Sequence, residues 1–242
     1  MLVTGGGRGI GRAIALRFAE AGARVFVNFF VNRESAEKTA REIELAGGTP
    51  HIVQGDVKDP AEIRRIFATI GEVAGRLDVL VNNAASGVLK DALSLTAKHW
   101  DWAMATNARP FLLCAQEAAK LMSAGGRVIG LSSLGSHRVI PGYAVVGASK
   151  AAAEAITRYL AVELAPRGIT VNTVCAGAIE TEIWRMIPDG ERLLEAARSR
   201  TPAGGLVTAE AVADVVFFLA SPAGQSIQGQ IIVADGGYSL LA

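Results

Sequence analysis

The chain has 242 residues, half of them hydrophobic, and a formal net charge of +1. That length and apolar fraction suit a single domain with a sizeable core, and the charge balance gives no electrostatic case for nucleic acid or an anionic membrane surface. No apolar run approaches a membrane span, no basic stretch precedes a hydrophobic one at the N-terminus, and Cys114 and Cys175 lie in apolar surroundings without metal-ligand spacing, so a soluble cytoplasmic protein with buried free thiols and no metal is expected.

Residues 1–4 are a short apolar start, followed by GGGRGIG and an amphipathic segment over 10–21. Strand, glycine turn and helix is the order a dinucleotide-binding fingerprint requires. Gly5 permits a tight turn, Gly9 lets the backbone approach a pyrophosphate, and Gly11 lets the helix pack close to the strand. The helix start at Ile10 offers N–H groups and partial positive charge to phosphates. Residues 24–29 (RVFVNF) read as a second buried strand. No acid stands at its end to take a ribose 2′-hydroxyl, and Glu34 is the first. Arg8 and Arg33 either meet a 2′-phosphate, which guanidinium suits, or are simply solvated. NADPH is therefore expected over NADH.

A helix over 34–46 ends at Gly47-Gly48, and a short strand follows at 51–54. Asp56, with Val57 after it, accepts from an adenine amino group or caps the helix beginning near Pro60. Residues 78–81 are another strand, leading into Asn82, Asn83 and Ala84. Asparagines there tie neighbouring strands together or flank a cofactor. Thr96 opens a helical region whose Trp100 and Trp102 suit core or interface. Pro110 lies inside a helical run to Met122; it has no N–H for the Thr106 carbonyl and kinks the helix. Asn107 beside the kink can hold an ordered water. Helices around 107–122 and 148–165 are apolar on more than one face, which points to subunit contacts.

Between those helices, SSLGSHRVIPGYAVVGASK (132–150) joins an apolar run, 127–131, to an alanine-rich segment, 151–165. Tyr143 and Lys150 are seven residues apart, which on one helix returns to the same face. A lysine ammonium there lowers the phenol's pKa and makes it a proton donor near neutral pH, and Ser133 can hold a substrate oxygen. A surface turn with an unrelated Tyr and Lys is the alternative. Residues 169–174 form a strand. Gly177, Ile179 and Thr181 follow at the C-terminal edge, where open α/β sheets bind ligands. Residues 182–207, charged and rich in Pro and Gly, are expected to be a mobile substrate lid. A helix over 209–220, a strand over 231–234 and the turn Asp235-Gly236-Gly237 complete the pattern.

TGGGRGIG, NNA at 82–84, Asn107, Ser133, Tyr143, Lys150 and the late DGG, in this order and spacing, resemble the short-chain dehydrogenase/reductases over essentially the whole chain. The resemblance implies an α/β, doubly wound (Rossmann) parallel seven-stranded sheet with helices on both faces in a single domain, a nicotinamide cofactor, and a homotetramer. It implies that Tyr143 donates the proton, Lys150 binds the nicotinamide ribose and lowers the tyrosine pKa, and Asn107 supports a proton-relay water. Cofactor contacts then fall on Gly5, Arg8, Gly9, Ile10, Gly11, Arg33, Asp56, Val57, Asn83, Ala84, Lys150, Gly177, Ile179 and Thr181.

Three departures from the common family pattern carry information. Val146 stands four before Lys150, where Tyr is usual, and Tyr143 stands seven before. Ala176-Gly177 replaces Pro-Gly, and NNAA replaces NNAG. Tyr-x6-Lys with Ala-Gly resembles the enoyl-acyl-carrier-protein reductases, and SxLGSxRxxxxYxxVGxSKAA with NNAASGVL, HWDW and CAQEAAKLM is most similar to their third type, an NADPH-dependent enzyme of bacterial fatty-acid synthesis. The shift has a geometric rationale. In ketone reduction hydride and proton go to adjacent atoms, whereas in enoyl thioester reduction the charge develops on the thioester oxygen, further from the carbon taking hydride. One helical turn, about 5.4 Å, is of the right order. Ser133 favours neither chemistry. The expected function is reduction of trans-2-enoyl thioesters, with acyl carrier protein as a candidate carrier. The alternatives are reduction of 3-oxoacyl or other carbonyl substrates, and a non-catalytic NADP-binding sensor, against which the Tyr/Lys pair argues. Arg192, Arg198 and Arg200 are either a docking patch for an acidic carrier or a solvated helix face.

Overall fold

The computed structural model describes residues 1–180 and 190–241; Thr181 and residues 182–189 of the expected lid lie outside them. Seven strands, β1 (Leu2–Val3), β2 (Arg24–Phe29), β3 (Thr49–Gln54), β4 (Val79–Asn82), β5 (Arg127–Ser133), β6 (Thr170–Ala176) and β7 (Ile231–Ala234), form one sheet in the order β3-β2-β1-β4-β5-β6-β7. Every neighbouring pair is parallel. The period of two in each strand builds the two halves of the core. Val3, Val25, Val27, Val81 and Ile129 face α1 (Gly9–Ala19), α2 (Arg33–Leu45) and α8 (Ala209–Ala220). Leu2, Phe26, Leu80 and Val128 face α3 (Pro60–Ala74), α5 (Arg109–Leu121) and α6 (Ala144–Leu164). Two further helices, α4 (Ala97–Ala103) and α7 (Gly190–Arg200), follow β4 and β6 in the chain. Among the described residues no helix is long and apolar enough to cross a membrane.

The helix starts follow local side-chain chemistry. Asn32 caps α2 by accepting from Ser35 N at 2.9 Å, and Thr96 shares a capping box with His99 at the start of α4. Asp59 caps α3, accepting from Ala61 N at 2.8 Å. The capping alternative for Asp56 is thus corrected: its carboxylate accepts from Lys58 N at 2.9 Å instead, three residues too early for the helix.

Two segments add detail to the sequence expectation. The kink at Pro110 takes the form of a single π turn, Met104–Ala108, between α4 and α5. Arg109 N–H reaches back five residues to Met104 O, so the wider turn absorbs the hydrogen bond that Pro110 cannot make. Of the expected lid, residues 190–207 hold a helix, α7, and a loop in which Ala203 N donates to Gly236 O at 3.1 Å.

Chain order along the sheet reverses between β1 and β4, a topological switch point. Thr4-Gly5 and Asn83-Ala84 therefore meet at the strands' C-terminal ends, and β5, α6 and β6 bring Ser133, Tyr143, Lys150 and Gly177 to the same side.

Candidate active site

The glycine loop is shaped by close approach. Gly5 (φ +63°) turns the chain, and Thr4 Oγ accepts from Asn83 N and Ala84 N, both at 3.0 Å. Asn83 Nδ2 donates to Thr4 O at 2.9 Å and Gly5 O at 3.1 Å, so this asparagine ties the β1 and β4 ends together. A Cβ on Gly11 would lie 2.4 Å from Gly5 O; α1 sits against the turn because it has no side chain there. At Gly9 (φ +54°) an added Cβ would meet nothing within 4 Å. Arg8, the N-cap of α1, supplies no side-chain acceptor to the first-turn N–H groups. An open glycine facing N–H groups without a side-chain cap is a cradle that fits a pyrophosphate.

Around this cradle, Arg33 Nε pairs with Glu37 Oε1 at 2.8 Å on an exposed face, an interaction weak enough to yield to a phosphate. Asp56 also contacts Lys58 Nζ at 3.3 Å, and Val57 is buried. Ile179 and Glu180, with Leu206, Val207 and Arg198, line a cavity of about 410 Å³ beside the start of α8. Arg198 is paired with Glu180 at 2.9 Å, and the Arg200 guanidinium lies 5.8 Å from the Tyr238 ring centroid.

Tyr143 is the N-cap of α6, and its carbonyl accepts from Gly147 N at 2.8 Å. The helix therefore begins earlier than the sequence reading placed it, and Tyr143 and Lys150 share one helical stretch. Tyr143 OH lies 3.2 Å from Ser133 Oγ. Lys150 is buried, and its Nζ donates to Leu131 O at 2.9 Å. Burial raises the Tyr143 pKa, the Ser133 hydrogen bond lowers it, and Cys175 raises it. The net direction is opposite to the lowering expected from the Tyr143–Lys150 spacing, because burial outweighs the single hydrogen bond and the ammonium points to a main-chain carbonyl. Burial pushes Lys150 down to about 8, against the opposing effects of Cys175 and Glu154.

Asn107 sits in the π turn, buried. Its Oδ1 accepts from Ser86 N at 2.9 Å, and its Nδ2 donates to Ser86 O at 2.9 Å and Ser149 Oγ at 2.8 Å. Both amide hydrogens are committed to protein groups. The side chain clasps the loop after β4 to α6. Val146, in the place where Tyr is usual, is buried with Ala103 and Val145, and Gly87 packs so closely on it that a Cβ there would be 2.1 Å from Val146 Cγ2.

The sequence reading overlooked Ser132, Ser149 and Glu154. Ser132 Oγ donates to Glu154 Oε1 at 2.5 Å inside the protein. The signal was a single acid in the otherwise apolar run AAAEAI, one helical turn after Lys150.

A family profile described as Enoyl-(Acyl carrier protein) reductase matches residues 5–239. The 1-cyclohexenylcarbonyl-CoA reductase of Streptomyces collinus is 42% identical over 243 residues, covering 100% of this chain and 87% of the relative. An NADPH-dependent aldehyde reductase-like protein of Arabidopsis thaliana is 36% identical, covering 98% and 93%. A short chain dehydrogenase from Burkholderia cenocepacia, solved in complex with NADP, superposes with a TM-score of 0.91 at 37% identity, covering 98% of this chain and 96% of the other. With the sheet order, the glycine cradle and these relatives in agreement from end to end, the chain belongs to the short-chain dehydrogenase/reductase family.

Proposed function

We propose that this chain is an NADPH-dependent reductase of trans-2-enoyl thioesters. The observation that carries the reading is the placement of Tyr143 at the N-cap of α6, one turn before the usual position, with Val146 filling that position as packed core. NADPH, when bound, supplies the hydride that C3 of the substrate takes. The glycine loop and the α1 N-terminus hold its pyrophosphate, Arg8 and Arg33 its 2′-phosphate, and Asp56 with Val57 its adenine. Asn83-Ala84, Gly177 and Ile179 flank the nicotinamide, and Lys150 holds the ribose. The Burkholderia relative's NADP and the Arabidopsis relative's NADPH support that cofactor. Tyr143 OH, oriented by Ser133, donates to the thioester oxygen as negative charge develops there. The proton leaves the phenol for that oxygen, or the phenol only hydrogen-bonds it while C2 takes a proton from solvent. The Lys150 ammonium offsets the charge left behind.

The names of the family profile and of the Streptomyces relative both point to acyl groups on large carriers. The test is NADPH oxidation with a trans-2-enoyl thioester and a 3-oxoacyl thioester of equal chain length, each on acyl carrier protein and on coenzyme A. Much faster turnover of the enoyl substrate is expected. Exclusive turnover of the 3-oxo substrate would replace this reading by carbonyl reduction, the second reading, which the Arabidopsis relative's name favours.

Self-association as a homotetramer is part of the proposal. Tyr159 and Val162 stand 72% and 75% exposed on α6, where an apolar helix face calls for cover. Sedimentation of the pure protein reads this directly, and a monomer at micromolar concentration rejects it. Buried free thiols at Cys114 and Cys175 accord with a cytoplasmic setting.

A further inference from the structure

The last three residues of β5 each hold one polar group of α6 or its cap. Leu131 O accepts from Lys150 Nζ, Ser132 Oγ donates to Glu154 Oε1, and Ser133 Oγ meets Tyr143 OH. Two of those three groups belong to the site proposed above; the third, Glu154, has no part in it. Glu154 is one helical turn beyond Lys150 and only 9% exposed. A buried carboxylate is costly unless charge and hydrogen bonds compensate it, and the one hydroxyl on Oε1 is modest compensation. Lys150, one turn back on the same helix and bonded to the neighbouring β5 residue, is the cation placed to supply more.

The other groups around Lys150 leave Glu154 as its counter-charge. Tyr143, on the same helix, is held protonated by burial. On β6, Cys175 lies opposite Ser132 in register, and burial pushes its thiol up to about 12, so it is neutral wherever Lys150 titrates. Asp235, after β7, acts on Cys175 and spends its carboxylate on Gly237 N and Ser239 N. His137, after β5, is exposed and lies with Glu154 and Cys175 in a cluster whose ligand-type atoms are within 4.8 Å of one another; as a base or a cation it adds no negative charge.

We propose that Glu154 is a positioning residue whose buried carboxylate, oriented by Ser132, keeps the Lys150 ammonium charged for cofactor binding. This rests on the reading that Lys150 holds the NADPH ribose. The acyl substrate plays no part in it.

The test is fluorescence titration of the whole protein with NADPH between pH 6 and 9.5. Wild-type affinity should weaken as pH rises through about 8, where Lys150 loses its proton. Glu154→Gln keeps an acceptor for Ser132 and removes the charge, so the weakening should move to lower pH. A displacement of one unit would give about fivefold weaker binding than wild type at pH 8 and near-equal binding at pH 6. A merely structural role predicts a loss that is equal at all pH values, and that result overturns the proposal, as does an unchanged profile. Ser132→Ala leaves the charge but removes the hydroxyl that orients it. It should move the profile the same way by less, and it decides the matter if Glu154→Gln does not fold; superposition on wild type then rejects the role. A flat wild-type profile removes Lys150 from cofactor binding and the proposal with it. Because the readout needs no thioester, failure of the enoyl substrate in the turnover assay would leave this result standing.

Discussion

Tyr143→Phe is expected to lower NADPH-dependent turnover by about 10²–10⁴-fold, the range that a positioned proton donor supplies, with little change in NADPH affinity. The geometry separates the two effects. The phenol ring lies against Gly135, where an added Cβ would be 2.4 Å from Tyr143 Cδ1, and Phe keeps that packing. Only the hydroxyl, 3.2 Å from Ser133 Oγ, is lost. The pH dependence has a definite sign. Burial holds the phenol above its ordinary value, so Tyr143 stays protonated through neutral pH. Lys150, lowered to about 8 by burial, neutralises first. Wild-type turnover should therefore fall as pH rises through about 8 because the ammonium is lost, while the proton donor is still present. A Phe variant that turns over like wild type would place the donor elsewhere and remove the meaning given to the tyrosine shift. Normal NADPH binding with no turnover would also exclude the sensor alternative.

The parts of this fold legible in the sequence are those set by short-range patterns. The apolar run in RVFVNF, the glycine turn, the Pro60 helix start and the DGG turn each depend on a few adjacent residues, and they stand where the patterns placed them. What was missed depended on partners far along the chain. The protein partners of the Asn107 amide, Ser86 and Ser149, are 21 and 42 residues away and leave no mark in its local pattern. Glu154 passed unnoticed because its partner, Ser132, is 22 residues earlier. The sequence places the start of α6 late because Pro141 and Gly142 disfavour helix, while tertiary packing carries the helix back to Ala144. The direction of the Tyr143 shift was misjudged for a related reason. Helical spacing reports which residues share a face, but the Lys150 ammonium is directed to Leu131 O, and burial was not visible in the sequence.

Gly11→Ala is expected to disable the cofactor cradle and the fold's stability together. The new methyl would sit 2.4 Å from Gly5 O and 2.5 Å from Asn83 Nδ2, far inside contact distance. Neither neighbour can yield cheaply. Gly5 O belongs to a main-chain turn with φ +63°, and Asn83 Nδ2 is bonded to both Thr4 O and Gly5 O. Relief requires α1 to lift from the turn or Asn83 to release the β1 end, and either movement opens the switch point where the pyrophosphate would rest. Overpacking of this kind costs about 3 kcal/mol, which in a chain this long lowers Tm by roughly 6–12 °C. NADPH affinity should fall at least tenfold, since the α1 N–H groups move with the helix. Gly9→Ala is the control in the same loop. Its added methyl meets nothing within 4 Å, and the penalty there is only the left-handed backbone at φ +54°, about 1–2 kcal/mol. Thermal melts should therefore order wild type above Gly9→Ala above Gly11→Ala. If Gly11→Ala instead melted like wild type and bound NADPH normally, α1 would not need its close seat on the turn, and the fit between this loop and a dinucleotide would fail with it.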